Sequence, residues 1–535
     1  MFEYDDKRNI IKTTDALVNK LLYTHNAFCQ MTSLTDPKGN VTSYEYDAYG
    51  NVAKIKNALN NETVFENDIV GNVKKVTNAK GKVTSLFHDN INRLVKTVYP
   101  DNSFKTYAYD KNHDLVQATD QKGNTYQYSY DVARRLTLVK DPLNQPTLFA
   151  YDEEGNLTKI TDAKGNVTSW VYDKLGRLVT ATDAQGGTST FIFDSIGNLL
   201  SSKDPNGNAT VYAYDNLNRL VTQTDSLGNT ATFDYDANGN LLNAKDANGN
   251  SSTFAYDVLN RLVNKIDALT GITAYTYDAN GNLLIVKDPK NNAISFSYDA
   301  LNRRIGEKDP LNNKTTFTYD KVGNVSKRTD ANGKAAFYTY DTLNRLTKIS
   351  YPDNSKTIFE YDAVGNLKKT TDPQGSNGVI NFYYDKLNRL VQEGDFKNIS
   401  PVVYQYDPVG NCIQMNTGVD VVRYTYDNLN RVKTIQSQDG TTTFTYDKAG
   451  RRIKTLYPNN IQAVYNYDNA NRLLLLAYKS LSNPALKLPS FAYTYDKVGN
   501  RLSLKDNEGT HTYTYDKLYR LASATYPLGN KKTYA

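Results

Sequence analysis

Apolar and polar positions along this chain repeat in a unit of about 21 residues, and each unit reads as two short strands and two turns. In Phe149-Ala150-Tyr151-Asp152 two rings flank one small residue, a period of two that sends both to one face of a strand. The aromatic-x-Tyr pair recurs as Tyr107/Tyr109, Trp170/Tyr172, Phe233/Tyr235, Phe296/Tyr298, Phe359/Tyr361 and Tyr513/Tyr515. Asp152 ends the strand, with a carboxylate placed to accept backbone N–H bonds in an Asx-type turn. Three residues after this Asp stands Gly in twelve repeats and Asn in eight, the two residues that tolerate positive φ, so a left-handed position in a tight hairpin loop is expected. Arg8, Cys29, His113, Arg134 and Tyr519 take that place in the other five and predict strained or altered turns. An aliphatic residue two places later, such as Val52, Leu157 or Leu346, opens the second strand. A second turn of the type Asp36-Pro37-Lys38-Gly39-Asn40 then leads to the next unit.

The Tyr-Asp slot steps from Tyr46 to Tyr361 through fifteen equal intervals, with Asn67, His88 and Phe193 standing in for Tyr. It continues less evenly to Tyr515, and the extra residues fall in the second turn, at Ser376-Asn377 and in Ser480 to Ser490. Twenty-five units imply roughly 50 strands, and at about 4.8 Å each a flat ribbon would run about 240 Å. Strand twist forbids an open sheet that wide, so the ribbon is expected to coil on itself. From Phe193 onward Gly-Asn units mostly alternate with Leu-Asn-Arg units, a 42-residue double period that suggests four-stranded propeller blades. The chain would then hold about 13 blades, beyond the usual 4–8 of one propeller, and a continuous meander fits better.

The expected fold is all-β: tandem antiparallel β-hairpin repeats coiling into a spiral, hollow β-shell. Residues 1–535 read as one continuous array, cut within a repeat at both ends. The motif residues on which this rests are Tyr46, Asp47 and Gly50; Tyr151, Asp152 and Gly155; Tyr172, Asp173 and Gly176; Tyr256, Asp257 and Asn260; and Tyr361, Asp362 and Gly365. In Arg304, Arg452 and Arg501 a cation occupies the aliphatic slot, where looser stacking is expected.

Composition changes this picture in three respects. First, 43 Tyr and 18 Phe against one Trp and three Met, within 39% hydrophobic residues, predict a core of rings with polar tips. Second, 63 basic and 57 acidic residues give a net charge of +6 spread along the chain, too balanced for a nucleic-acid footprint. Third, no run of 18 apolar residues spans a membrane, and no signal peptide precedes the first motif.

Candidate chemistry is sparse. His25 and His88 replace ring residues, His113 takes a turn position and His511 lies in a strand; no Ser-His-Asp or Cys-His set is legible. Cys29 and Cys412 have no metal or disulfide spacing. Asp246-Ala247-Asn248-Gly249 echoes a calcium loop but lacks the further carboxylates and the closing Glu. No catalytic, cofactor or metal residue is therefore assigned. The tyrosine stripes also admit a reading as sugar-stacking platforms, although rings at every wall position fit packing better than a single cleft.

Tyr256-Asp257-Val258-Leu259-Asn260-Arg261-Leu262 and Tyr172-Asp173-Lys174-Leu175-Gly176-Arg177-Leu178 carry the motif in full. It resembles the YD repeats of the bacterial Rhs family, shared with the Tc-toxin cocoon proteins and the animal teneurins, and the resemblance covers essentially the whole chain. It implies a hollow β-shell that spirals around a cavity and sequesters a C-terminal toxin until delivery. In the toxin relatives a core segment after the array self-cleaves through acidic residues; nothing after Tyr515 resembles it, so no protease residues carry over. Two functions follow as expectations. One is a non-enzymatic shell whose partner is an enclosed toxin polypeptide or neighbouring shell segments of a longer, secreted or surface-exposed protein. The other is a cell-surface adhesion or carbohydrate-binding array.

Overall fold

The computed structural model describes residues 1–372, 378–394 and 400–534. Among them the chain forms 51 β-strands, β1 (Phe2–Tyr4) to β51 (Lys531–Thr533), one 3-10 turn at Pro527–Gly529 and no α-helix. Every strand pairs antiparallel with the next in sequence, as β1 does with β2 (Ile10–Thr14) and β50 (Leu521–Thr525) with β51, to give one 51-stranded meander.

Strands β5 (Val41–Tyr46), β6 (Val52–Lys56) and β7 (Glu62–Asn67) show how one repeat works. Tyr44 faces Ile55 and Glu45 faces Lys54, but Tyr46 faces Val52, so Ala53 is left over as a β-bulge. The same shift recurs one residue before each Tyr-Asp turn, as at Tyr151, Tyr256 and Tyr515, and is absent across the second turn, where β6 and β7 pair without interruption. A bulge on one rim only sharpens twist there and turns the aliphatic residue's carbonyl out of the ladder.

Both turns of the repeat are built alike. In the first, the Asp47 N–H donates to the Asn51 carbonyl at 2.9 Å and the Gly50 N–H to the Asp47 carbonyl at 3.1 Å; Asp36 and Gly39 do the same in the second. Gly50 has φ +88° and Gly39 φ +84°. Arg8, Cys29, His113, Arg134 and Tyr519 hold φ between 63° and 68° and keep the same turn bonds, so the loop is not altered and the misfit is stored as local strain instead. The insertion expected at Ser376-Asn377 lies outside the described residues. That at Ser480 to Ser490 prolongs a strand, Leu473–Ser480, which pairs to its last residue with Ile461.

A sealed aromatic core is not what the rings form. Only Ala463 and Ala524 are fully buried among the described hydrophobic residues, and the tyrosines lie half-buried in rows on one face of a single sheet. The accessible surface is 30782 Å², whereas a compact chain of this mass would expose about 19,000 Å². A wall one sheet thick explains the excess.

The wall closes by rim meeting rim. The turn after β4 (Met31–Thr35) touches the turn after β27 (Ile272–Tyr277), and such contacts recur at separations of 240 to 248 residues. One coil of the spiral therefore takes 23 strands, a circumference of about 110 Å and a backbone-to-backbone diameter of about 35 Å.

Candidate functional site at the turn rims and the seam between coils

The motif tyrosines face the previous hairpin. Tyr46 Oη donates to the Met31 carbonyl at 2.7 Å, and Tyr151, Tyr172 and Tyr361 donate to those of Leu136, Leu157 and Leu346, each at 2.9 Å. In each case the acceptor is the first residue of the preceding second strand, whose carbonyl the bulge has released. Asn67, in a degraded slot, donates its Nδ2 to the Val52 carbonyl at 3.1 Å and so replaces the phenol. Tyr256 faces Leu262 across its hairpin.

The motif aspartates organise the turns. Asp47 Oδ1 accepts the N–H groups of Tyr49 and Asn51, each at 2.9 Å. A hydrogen bond from the Asn156 side chain (3.0 Å) holds the Asp152 carboxyl below its usual range, and the Arg177 guanidinium does the same for Asp173. Gly155, Gly176 and Gly365 have φ of +93°, +72° and +103°, and Asn260 has φ 59°.

The 42-residue alternation acquires a role here. In Leu-Asn-Arg repeats the arginine grips its own turn, the next turn and the next ring together. Arg219 Nε donates to Asp215 Oδ2 at 2.7 Å and Nη1 to the Asp236 carbonyl at 2.6 Å, while its guanidinium lies 5.0 Å from the Tyr235 ring centroid. Arg261 repeats this towards Asp257, Asp278 and Tyr277. In Gly-Asn repeats the asparagine reaches forward instead: Asn198 Nδ2 binds both Asp194 Oδ2 and Asn218 Oδ1. Arg304 and Arg501, expected to loosen the aliphatic row, stack between two rings each, and Tyr319 and Tyr515 still find their backbone carbonyls.

The seam joins second turns of one coil to first turns of the next. Lys38 meets Asp278 at 3.0 Å, Lys80 meets Asp320 at 2.6 Å, Lys122 meets Asp362 at 3.2 Å and Lys164 meets Asp407 at 3.0 Å. Asn206 and Asn248 continue the series with the Ala449 N–H and Asp496 Oδ2. These six residues follow one another at 42-residue steps, the signal by which sequence reasoning could have found them. Where the intervening repeats meet, clefts remain, one of about 420 Å³ lined by Asn57, Asn61, Leu301, Arg303 and Val322 among others. Asp246 and Asn250, at the position that echoes a calcium loop, bind the Tyr519 phenol across the seam. Among the described residues no group of His, Cys, Asp and Glu side chains is arranged to hold a metal ion.

The teneurin YD-shell family matches residues 113–233, 187–331 and 376–478, together more than half of the sequence. The chain belongs to that family. The RHS repeat matches residues 30–62, 340–377 and 495–531 of this YD shell. Its fold is shared with solved TcdB2-TccC3 structures. A crystal structure of TcdB2-TccC3 aligns at 16% identity over 98% of this chain and 31% of that one, with a TM-score of 0.55. The form without its hypervariable C-terminal region aligns at 13% over 99% and 32%, with a TM-score of 0.62. The TcdB2-TccC3-TEV form aligns at 14% over 100% and 32%, with a TM-score of 0.61. The YD shell thus spans about a third of the length of the solved chains it matches. No curated protein matches it.

Proposed function

We propose that this chain is a wall segment of a secreted or surface-delivered toxin container, a non-enzymatic shell that holds a polypeptide cargo out of solution. The seam carries the reading. Lys38, Lys80, Lys122 and Lys164 each bridge to a turn carboxylate of the next coil, which makes a continuous wall out of a ribbon that would otherwise be open between its coils. A bore of about 35 Å between backbones, narrowed by side chains on its inner face, suits an extended or loosely folded polypeptide better than a compact domain of 100 residues, whose radius of gyration alone is about 13 Å. One of the similar structures is described by the removal of a hypervariable C-terminal region, as a container with exchangeable contents would be.

A sugar-binding surface has less support, because guanidinium groups already cover the ring faces of Tyr235, Tyr277 and Tyr361 on which a pyranose would stack. The test is protease accessibility in the full polypeptide that carries this array. Segments outside the YD repeats should resist cleavage at least tenfold better than the same segments alone, and should lose that protection when the wall is opened by acid. Cleavage at the free-segment rate would reject containment.

A further inference from the structure

The third residue of the first turn separates the two coils sharply. In the first coil this position carries Phe28 (84% exposed), Tyr49 (68%), Leu175 (70%), Ile196 (70%) and Leu217 (66%). In the second coil its equivalents Leu301, Val322, Leu343, Leu387 and Val409 are all half-buried, because the second turns of the first coil lie over them. The change falls between Leu217 and Leu259, which is half-buried. The next first turn after that of Leu259 holds Asp278, which meets Lys38 of the first coil at 3.0 Å, so coverage starts where a coil first finds another above it.

The opposite rim shows the mirror image. Leu59, Leu143 and Leu227, in second turns of the first coil, are 36–40% exposed against the seam, whereas Leu311, the same position in the second coil, is 81% exposed. Lys290 and Asn332 extend the 42-residue Lys/Asn series on that free rim, and both are exposed. The molecule thus displays, uncovered, both halves of an interface that it already makes once within itself.

We infer that the two exposed apolar runs of the first-turn rim, Phe28 to Ile91 and Leu175 to Leu217, which Asn112, Ala133 and Glu154 separate, dock the free second-turn rim of a second copy of this chain, head to tail, repeating the internal seam. The occupant is chosen by chemistry: it must offer alternating leucine and Lys/Asn at 21-residue spacing, so that leucines cover the apolar residues and amines reach the turn carboxylates. The rim that carries Lys290, Leu311 and Asn332 does so over these three successive turns, and Asp353 ends the series. This contact is heterologous and does not close, so it leads to stacks rather than dimers alone.

The test is the solution mass of the purified chain between 1 and 200 µM by sedimentation velocity, alone and as two variants. Mass should rise with concentration beyond that of a dimer. Ile196→Lys with Leu217→Lys on one rim, and Leu311→Lys with Lys290→Glu on the other, should each raise the dissociation constant at least tenfold with unchanged circular dichroism. Mixing the two variants should restore one-to-one heterodimers and nothing larger, since each still owns one intact rim. A monomer at 200 µM, or an oligomer indifferent to both variants, would overturn the inference while leaving the protease-protection test of containment untouched.

Discussion

Tyr151 gives its phenol proton to the Leu136 carbonyl, 15 residues back in the preceding hairpin, at 2.9 Å. The bond explains why the slot is tyrosine and not phenylalanine. The bulge before the turn removes one carbonyl per hairpin from the ladder, and an unpaired half-buried carbonyl costs free energy unless a donor reaches it. The ring spans the gap to the neighbouring hairpin and the hydroxyl closes it, so one residue supplies both packing and satisfaction.

Tyr151→Phe should therefore cost about 1 kcal/mol, confined to the hairpins on either side. A long repeat array does not unfold in one step, so the measurement is amide hydrogen exchange across residues 136–161, where protection should fall about fivefold with little change elsewhere. Phe193 is the natural converse. Phe193→Tyr should gain a bond to the Leu178 carbonyl and raise protection in its hairpins by a similar factor; no change in either variant would remove the phenol from the account.

Arg219 makes a charge-assisted bond to Asp215, a second to the Asp236 carbonyl and a stack on Tyr235. Lysine can make one of these at a time, because its ammonium is a point and not a planar fork. Arg219→Lys should cost about 1–2 kcal/mol despite conserved charge, read as earlier urea opening of residues 209–245 by hydrogen exchange. If lysine protects as well as arginine, the forward reach to the next repeat contributes nothing.

Much of this was legible in the sequence and part was not, for reasons of range. Tyr46, Asp47 and Gly50 act within one hairpin, so a local period and a φ requirement were enough to place them. The bulge at Ala53 was hidden because it shifts register without changing spacing: the 21-residue period is the same with or without it. The expectation of a buried aromatic core failed because burial depends on a second layer that no single repeat encodes. Lys38 and Asp278 lie 240 residues apart, and nothing local marks them as partners. The 42-residue recurrence of Lys38, Lys80, Lys122 and Lys164 was present in the sequence, but its meaning depends on how many strands make one coil.

The four lysines of the seam should act together. Each pair is partly exposed, with side-chain accessibilities of 27% and 17% for Lys80 and Asp320, and alone is worth about 1 kcal/mol or less. Changing Lys38, Lys80, Lys122 and Lys164 to Glu sets four repulsions along one line. The hairpins should survive, with an unchanged β-sheet circular dichroism spectrum, while the coils part. The expected readout is a larger radius of gyration by small-angle scattering and new protease cleavage in the turns at 278–282 and 320–324. In the unmodified chain, raising salt from 0.05 to 0.5 M should move scattering the same way to a lesser extent, since screening weakens exposed pairs. Identical scattering for both chains would show that the seam is held by its apolar contacts alone.

Acid and base should open the wall through different groups. Hydrogen bonding from Asn156 and Arg177 lowers the folded-state pKa of Asp152 and of Asp173 below the ordinary 3.8. The unfolded chain then binds more protons in that range, so the stabilisation is complete above about pH 4 and is lost as pH falls through the folded values. For the phenols the sign reverses. Burial raises Tyr340 and Tyr361 above 10.0, and a 2.6 Å hydrogen bond to Glu393, with burial, pushes Tyr404 up to about 12. A folded state that holds its protons more tightly keeps that stability below pH 10 and loses it as pH rises towards the folded values, because an ionised phenol can no longer donate to a carbonyl. Melting temperature against pH should therefore form a plateau between about 4 and 10 with a fall on each side. The variants separate the limbs: Tyr404→Phe should soften the alkaline fall, and Asp152→Asn the acid one.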